Sequence, residues 1–490
     1  MELKYIVFML AVIGTIPLVY LLLLSQKSIK ICVFLIPLIL IKYQETSINF
    51  FTNPGFKGTA SGYEVSLIHL ISIALLLAMI LRRWPIKFLF PGNLLYFLYF
   101  FVCLLSLSAA PNKIYAGFEL MKMLTLFLVF LAVTNYLYIT HDFDSFLNGI
   151  AMIIIFSFLI ALKMKYLEGR IARGIFAHQN SAGMFMCLLG PIYLARLLNK
   201  KDSLLKAGFY LFVFIASFLS ALFTYSRGAL ACFPLGCAVV ILFSLALHLT
   251  FKTIIVIFVT GLISIAAIGY SAPNIINRFV NATGASAEMR KMLASTAINI
   301  IRDKPLLGCG VNNWGIVATY PNYNPYRAND TKGQFKKGEY INPVETVYLL
   351  VGAECGLIGL GTLFLWYFYY LYQAVYQAYR WRKTDYFYLL AGLGGGFTSN
   401  YLQSTLEWCL KQPINFCTLF CCFGIIAVLV QRAREHTTLS YLELVAIKRA
   451  EYYRQLEMAA AAEAEEHMER VVLEGQLEQP LDQPSDHQNQ

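Results

Sequence analysis

Four short segments of the sequence combine arginine with other polar side chains at the edges of long apolar runs. They are residues 172–185, 224–230, 288–315 and 342–359. An arginine guanidinium is a fixed fork of donors that binds two phosphate oxygens at once, which suits the anion released when a sugar–diphosphate bond breaks. A partly buried carboxylate with a raised pKa can accept the proton of an attacking hydroxyl. These residue types therefore favour group transfer from a diphosphate.

The first two segments place cations at the ends of apolar runs. Arg173, His178 and Asn180 precede an apolar stretch, and each of them alone would be an ordinary interfacial anchor. Arg227 lies between two apolar runs, with only Thr, Tyr, Ser and Gly beside it. Because an arginine with so short a loop is costly next to a membrane, it usually faces a cavity or a partner. A structural arginine that reaches out to the interface is the alternative for Arg227.

The third segment predicts an amphipathic helix that lies along the membrane surface. Its apolar residues recur at helical spacing, and Pro305 and the glycines after it end the pattern. Arg290 occupies the N-terminal turn, where a cation is unfavourable for the helix dipole. We therefore expect Arg290 to serve something other than the helix.

The fourth segment supplies the carboxylate. Glu345 and Tyr348 are predicted to share one helical face at the junction between a long loop and the membrane. Glu345 is the best-placed general base, and His178 is the second candidate. A carboxylate that only stabilises the helix dipole is the alternative for Glu345.

Metal ligands are not evident in the sequence. The outer segments contain no Asp-rich motif, and the 11 cysteines lie mostly inside apolar runs without a paired CxxC set. We interpret the cysteines as small packing residues and not as metal ligands or disulfides. The simplest expectation is a reaction that uses arginines and needs neither a metal ion nor a cofactor.

The composition identifies the kind of scaffold that must position these residues. Hydrophobic residues make up 58% of the 490 residues and charged residues only 14%, against about 25% charge in an ordinary globular chain. A water-soluble fold could not bury so much apolar surface, and aromatic content of 15% fits membrane spans with interfacial belts. The sequence predicts an all-α polytopic membrane protein.

Apolar stretches long enough for the ~30 Å hydrocarbon core need about 20 residues, and they predict 12 or 13 transmembrane helices. The stretches are 5–24, 63–81, 92–110, 116–138, 146–163, 180–197, 207–223, 228–247, 253–270, 349–372, 386–405 and 414–430, with 31–41 as a half-span or thirteenth helix. No cleavable signal peptide is evident after residue 24. The side of the membrane on which the chain begins stays open.

Sidedness follows from lysine and arginine in the short loops. Basic clusters at 82–87, 196–206 and 380–383 are mutually consistent as cytoplasmic loops, which puts the long loop 271–343 outside. That loop has nine Lys/Arg against four Asp/Glu, so it opposes the positive-inside rule and favours an anionic substrate on the outer face. The outer segments, including Arg227, lie on the same side.

Four regions follow from this layout. They are an N-terminal transmembrane bundle (1–270), a periplasmic loop with amphipathic helices (271–348), C-terminal transmembrane helices (349–431) and a cytoplasmic acidic tail (432–490). The tail carries 6 basic against 12 acidic residues, and it is predicted to be helical from about Ser440 to Gln476 and disordered beyond. A solubilising helix and a docking helix for a cytoplasmic partner both fit.

The order of the motifs resembles the O-antigen polymerase and O-antigen ligase superfamily. In sequence they read R-x-x-x-x-H-x-N-x-x-G, T-x-S-R-G, a basic helix followed by K-P-L-L-G-x-G-x-N-N, and Y-L-x-x-x-x-E-x-G-L-I-G, from about Arg173 to Gly359. The resemblance implies a GT-C-like glycosyltransferase of the bacterial inner membrane. Such enzymes move a glycan from an undecaprenyl-diphosphate carrier to an acceptor on the periplasmic side.

The same resemblance assigns roles to individual residues. It implies that Arg227 and Arg290 contact the donor diphosphate, and Glu345 is then the catalytic base. In the ligases a His-Asn pair stands where this chain has Glu345 and Thr346, and residues 271–359 contain no histidine. The acidic residue is more similar to the polymerase branches. The residues expected to bind substrate are Arg173, His178, Asn180, Lys304, Asn312 and Tyr348.

The resulting prediction is a periplasm-facing polysaccharide polymerase that is metal-independent and inverts the anomeric centre. Its partners would be lipid-diphosphate-linked donor and acceptor glycans, membrane lipid and a chain-length regulator or other assembly proteins, but not nucleic acid. A ligase that transfers finished glycan to lipid A-core or protein is one alternative. A flippase for lipid-linked sugars is the alternative of another class, and matching pseudo-repeats with broken helices would favour it.

Overall fold

The computed structural model describes residues 3–53, 55–280, 284–324, 340–438, 451–456 and 458. It is 76% helical, and its strands are confined to one short hairpin in these residues. Several helices are long and apolar enough to cross a membrane. The predicted class, an all-α polytopic membrane protein, is confirmed.

The elements follow one another with short connections. The helices are α1 (Leu3–Ile13), α2 (Thr15–Leu24), α3 (Gln26–Ile41), α4 (Leu67–Leu81), α5 (Asn93–Leu105), α6 (Lys113–Thr140), α7 (Phe143–Leu162), α8 (Gln179–Leu197), α9 (Leu204–Phe223), α10 (Arg227–Leu247), α11 (Phe251–Val280), α12 (Gly284–Asp303), α13 (Trp314–Val317), α14 (Val347–Arg380), α15 (Tyr386–Gln403) and α16 (Pro413–Thr438). A π-helical turn (Lys163–Leu167) extends α7, and 3₁₀ turns cover Ser106–Ala109 and Cys409–Lys411. Strands β1 (Ser47–Thr52) and β2 (Gly62–Ser66) pair antiparallel.

Eight of the described helical segments have the length and composition of a membrane span. They are Lys4–Leu24, Lys113–Thr140, Phe143–Leu167, Leu204–Phe223, Arg227–Leu247, Phe251–Asn277, Val347–Arg380 and Pro413–Glu435. The expected 12 or 13 exceeds this number, because α4 and α5 are shorter and α8 and α15 carry more polar and small residues. Nearly all of α8 and α15 is buried against other helices, so neither sequence has to match the apolarity of lipid.

Two segments near the N-terminus differ from the predicted spans. Residues 63–66, assigned to a span, belong to strand β2, and α4 begins only at Leu67. The half-span predicted at 31–41 is the second part of α3, a helix of 16 residues with Pro37 inside it. The hairpin packs on α6, where the rings of Tyr63 and Phe118 meet edge to face with centroids 4.9 Å apart. Alternating apolar residues in this stretch satisfy both a strand and a short span, so hydropathy alone could not separate them.

Helices α8, α10 and α15 form the tightest part of the bundle. A methyl group on Gly236 of α10 would lie 2.7 Å from the Gly395 carbonyl oxygen of α15, and one on Gly392 would lie 2.6 Å from Cα of Ile192 in α8. Small residues allow helix backbones to approach this closely in a membrane. The contact fixes the first turns of α8 and α10 relative to each other.

The amphipathic helix predicted in the long loop is α12, but its apolar face contacts protein. Met292, Leu293 and Ile300 are buried in a cluster with Trp314 of α13 and Leu350 of α14. The expected position along the membrane surface is therefore not observed for this face. A protein surface and a lipid surface select the same apolar pattern, which is why the sequence could not distinguish them.

The turn after α12 docks on a break in α14. Gly356 has φ +69°, a left-handed conformation that glycine adopts without strain, and it interrupts the helical geometry. The Leu357 amide donates to the Pro305 carbonyl (2.7 Å), and the Gly310 amide donates to the Glu354 carbonyl (2.8 Å). These hydrogen bonds hold the C-terminal end of α12 against α14.

The chain divides into two compact units, Met1–Val430 and Gln431–Gln490. Within the first unit, α11 continues to Val280, past residue 270 where the long loop was predicted to begin. Within the second unit, residues 451–456 are helical, but most of the helix predicted from Ser440 to Gln476 lies outside the described residues.

Candidate functional site

A cavity of about 550 Å³ lies where the first turns of α8 and α10 meet α12. Its wall includes both arginines and the carboxylate singled out in the sequence. The lining residues include His178, Asn180, Tyr225, Ser226, Arg227, Arg290, Glu345 and Glu407. We call this space the arginine cavity. Arg227 and Arg290 lie 63 positions apart in the sequence, so their convergence is a property of the fold.

Arg290 is held between two carboxylates. Its Nε atom forms an ion pair with Oε2 of Glu345, and its Nη2 atom lies 3.5 Å from Oε1 of Glu407. The side chains of Arg290 and Glu345 are each 34% exposed, whereas that of Glu407 is 7% exposed. One guanidinium therefore connects an accessible carboxylate with a buried one.

Arg227 is the first residue of α10 and is half-buried in the wall of the cavity. The preceding Tyr225 has φ +48°, which is uncommon for a residue other than glycine. The N-terminal ends of α8 and α10 both border the cavity, and each carries the partial positive charge of a helix dipole. Together with the two arginines, they make this wall suited to an anion.

The two carboxylates are poised differently. Burial raises the pKa of Glu345 above its ordinary value, while Arg290 and Arg227 oppose that rise. Burial raises the pKa of Glu407 to about 7, against the opposing effect of its hydrogen bond with Asn180 and with Glu345 adding to the rise. A carboxylate with a pKa near neutral pH is suited to accept a proton.

The carboxylates also border a second cavity, of about 610 Å³. This space shares His178, Asn180, Glu345 and Glu407 with the arginine cavity. Its other walls come from Lys57, Met289, Met292, Leu293, Trp408 and the segment 340–343. The arrangement gives room for one ligand on each side of the two carboxylates, and we call the second space the acceptor-side cavity.

Backbone contacts bring the carboxylates together. Helix α14 begins at Val347, so Glu345 precedes the helix and does not share a helical face with Tyr348 as predicted. The Val347 amide donates to the Ser404 carbonyl (3.1 Å), which fixes the start of α14 to the end of α15. The Tyr348 hydroxyl donates to the Tyr401 carbonyl (2.9 Å) and strengthens the same junction.

The other predicted substrate ligands lie apart from the two cavities. Arg173 is exposed and donates to the Ala177 carbonyl of its own loop (2.7 Å). Lys304 follows the end of α12, about 20 Å along that helix from Arg290. Their roles stay predictions.

Asn312 has a structural environment. It is fully buried, its Oδ1 atom accepts from the Thr59 amide (2.8 Å), and its Nδ2 atom donates to the Ala60 (2.9 Å) and Tyr115 (2.7 Å) carbonyls. Those bonds tie the turn after α12 to the hairpin and to α6. The side chain is thus committed to protein contacts.

A buried ion cluster supports the turn that carries Glu407. Lys411 lies 3.2 Å from Glu119 and 3.9 Å from Glu354, and Lys122 lies 2.6 Å from Glu119. All four side chains are at most 6% exposed. Two cations thus neutralise two carboxylates and fix the Cys409–Lys411 turn to α6 and α14.

Comparison with known proteins adds one finding to this geometry. Residues 212–364 match the family model described as O-antigen ligase. The chain carries an O-antigen ligase domain. This match confirms the predicted superfamily and supports glycan transfer in general. No curated protein matches the chain.

The O-antigen ligase segment covers only part of the cavity wall. Arg227, Arg290 and Glu345 lie inside 212–364, whereas His178, Asn180 and Glu407 lie outside it.

Sequence analysis missed Glu407. The available signal was a single carboxylate in the short connection between the predicted spans 386–405 and 414–430, on the same side as the long loop. That signal is weak without the fold.

Proposed function

We propose that this protein is a polysaccharide polymerase of the bacterial inner membrane, with its active site facing the periplasm. It would transfer glycan from an undecaprenyl-diphosphate-linked donor to a sugar hydroxyl of a lipid-linked acceptor. The observation that carries the proposal is the arginine cavity, in which Arg227 and Arg290 share one wall with Glu345 and Glu407. The O-antigen ligase match supports the reaction class.

The donor diphosphate binds in the arginine cavity. Guanidinium groups contact phosphate oxygens bidentately, and the N-terminal ends of α8 and α10 add favourable electrostatics. A dianionic diphosphate competes with Glu345 and Glu407 for Arg290. Donor binding therefore draws Arg290 away from Glu345 and frees that carboxylate.

The acceptor hydroxyl then attacks the anomeric carbon from the acceptor-side cavity. Its proton passes to Glu345 as the new glycosidic bond forms, and the bond between the anomeric carbon and the diphosphate oxygen breaks. The bond's electron pair leaves with the diphosphate, whose charge the arginines stabilise. One direct displacement inverts the anomeric centre. Arginines supply the positive charge, so the mechanism runs without a metal ion.

Glu345 is the proposed base because it is the more accessible of the two carboxylates. Glu407 is the buried neighbour that keeps negative charge beside Arg290 in the resting site. Glu345 also stands where the ligases have a histidine, which is the reason to propose a polymerase.

A ligase is the second candidate, because the matching family model is itself described as O-antigen ligase. The two functions leave different products when the gene is deleted. Single-repeat glycans accumulate without a polymerase, whereas long unattached polymer accumulates without a ligase.

The decisive experiment is elongation of lipid-diphosphate oligosaccharide by the purified protein, resolved on a gel. Glu345→Gln should lower the rate by about 10²- to 10⁴-fold, the usual contribution of a general base. Glu288→Gln is the matched control, since Glu288 is exposed on α12 and does not line either cavity. Full-length polymer from Glu345→Gln would reject Glu345 as the base, and no elongation by the unaltered protein would reject the enzyme.

A further inference from the structure

A third cavity, of about 460 Å³, borders the arginine cavity and has not entered the mechanism above. Its wall includes Lys165, Arg170, Asn274 and Asn277, together with Tyr225, which also lines the arginine cavity. Cations and amide groups thus meet beside the proposed donor site. The composition of this wall is that of an anion-binding site.

Lys165 is the central cation of this cavity. It lies in the π-helical turn Lys163–Leu167, a rare geometry that often occurs at functional sites. Its ammonium group lies 3.7 Å from the centroid of the Phe223 ring and 5.3 Å from that of Tyr270. The Nζ atom is buried and has no hydrogen-bond partner among the described residues. The aromatic rings hold the cation in place without using its donors.

Charge around the cavity is positive. Arg170 lies 2.6 Å from Glu168, and Lys163 lies 3.7 Å from the same carboxylate. One carboxylate therefore faces three cations, counting Lys165, and the surplus is two positive charges. A dianionic group would balance that surplus.

Tyr225 separates this cavity from the arginine cavity. Its φ of +48° is strained for a residue with a side chain, and such strain persists where the surrounding structure enforces it. Its side chain is hydrogen-bonded to that of Asn274 on α11. The left-handed backbone turns the tyrosine into the shared wall, so the two cavities are neighbours but distinct.

The cavity also borders an apolar surface that can accommodate a lipid chain. Helix α11 exposes Ile265 (70%), Ile268 (44%) and Ile276 (60%) beside Asn274 and Asn277. A ligand with a charged head and a long apolar chain fits this combination, because each part finds a matching surface.

We propose that this cavity binds the diphosphate of the second lipid-linked glycan, with its carrier chain along the exposed face of α11. The inference rests on the proposed function, since a polymerase brings two lipid-linked substrates together. Phospholipid head groups offer similar phosphate chemistry, and the experiment below separates the two sources.

The test counts bound isoprenoid diphosphate. The purified full-length protein in nanodiscs is titrated with farnesyl diphosphate, and the stoichiometry is measured by native mass spectrometry. We expect two molecules per chain, falling to one in Lys165→Gln/Arg170→Gln and to one in Arg227→Gln. Lys163→Gln is the matched control: Lys163 is 64% exposed in the same π-helical turn, does not line the cavity, and its replacement should leave two.

Kinetics provide the second measurement. Lys165→Gln/Arg170→Gln should raise the KM for the acceptor at least tenfold while the KM for the donor stays within twofold. One molecule bound by the unaltered protein and by Lys165→Gln/Arg170→Gln, or none bound at all, overturns the proposal. Displacement of one farnesyl diphosphate by phosphatidylglycerol in the nanodisc also overturns it, in favour of a phospholipid site. Two bound molecules without elongation reject the proposed function and leave this site standing.

Discussion

Replacing Glu407 by glutamine should stabilise the protein in a pH-dependent way. Burial raises the pKa of this carboxyl from 4.5 to about 7. Since one pKa unit corresponds to about 1.4 kcal/mol, ionising Glu407 in the folded protein costs about 3 kcal/mol more than in water. Between about pH 4.5 and pH 7 the folded protein binds the proton more tightly than the unfolded chain, so stability falls as the pH rises through this range.

Glutamine has the same shape and cannot ionise. The free energy of unfolding of Glu407→Gln should therefore exceed that of the unaltered protein by an amount that grows by about 2 kcal/mol from pH 5 to pH 8. Arg290 keeps its ion pair with Glu345 in the variant, which limits any loss from the substitution.

The assay is thermal unfolding in lipid nanodiscs at pH 5 and pH 8. Glu288→Gln, an exposed substitution, is the control and should show the same difference at both values. A pH-independent difference for Glu407→Gln would refute the view that burial dominates the proton affinity of Glu407. The same variant should lose elongation activity, because stability gained at a functional residue usually costs function.

Three other predictions concern the cavity, the ion cluster and the helix packing. Arg227→Lys should lower elongation at least tenfold because a point charge does not replace the guanidinium fork, and EDTA should leave elongation by the unaltered protein unchanged; both are read on the elongation gel, and strong inhibition by EDTA would contradict the metal-independent mechanism. Lys411→Met should destabilise the protein by about 3–5 kcal/mol because it leaves buried carboxylates without a cation, whereas Lys383→Met in the predicted cytoplasmic cluster should change the unfolding midpoint little. Gly392→Val should lower the yield of folded protein on size-exclusion chromatography because its side chain would overlap α8, and normal yield would mean that α8 and α15 can separate.

Much of the site could be predicted from the sequence because membrane insertion makes charged groups informative. Arg227 and Arg290 stand out where an arginine has no local partner, and the fold brings both to one cavity. Glu345 stands out at the end of a polar loop. Hydropathy likewise identified the long apolar helices, because they must match the bilayer.

The rest depends on contacts between distant segments. Asn312 bonds to residues more than 190 positions away, and no local pattern separates such a residue from a ligand. Glu407 gains its burial and its pKa only when the 404–412 connection packs beside Arg290. Helices α8 and α15 are buried by neighbours, so their own hydropathy understates their position in the bundle.

The guanidinium of Arg290 between two carboxylates has a consequence for selectivity in a bilayer crowded with phospholipid. With Arg227, the resting pocket holds two fixed cations and two fixed anions, so it offers little net attraction to the singly charged head groups that surround it. We expect that only a ligand with several closely spaced negative oxygens can displace the internal counter-ions, which would keep the pocket vacant for scarce carrier lipids.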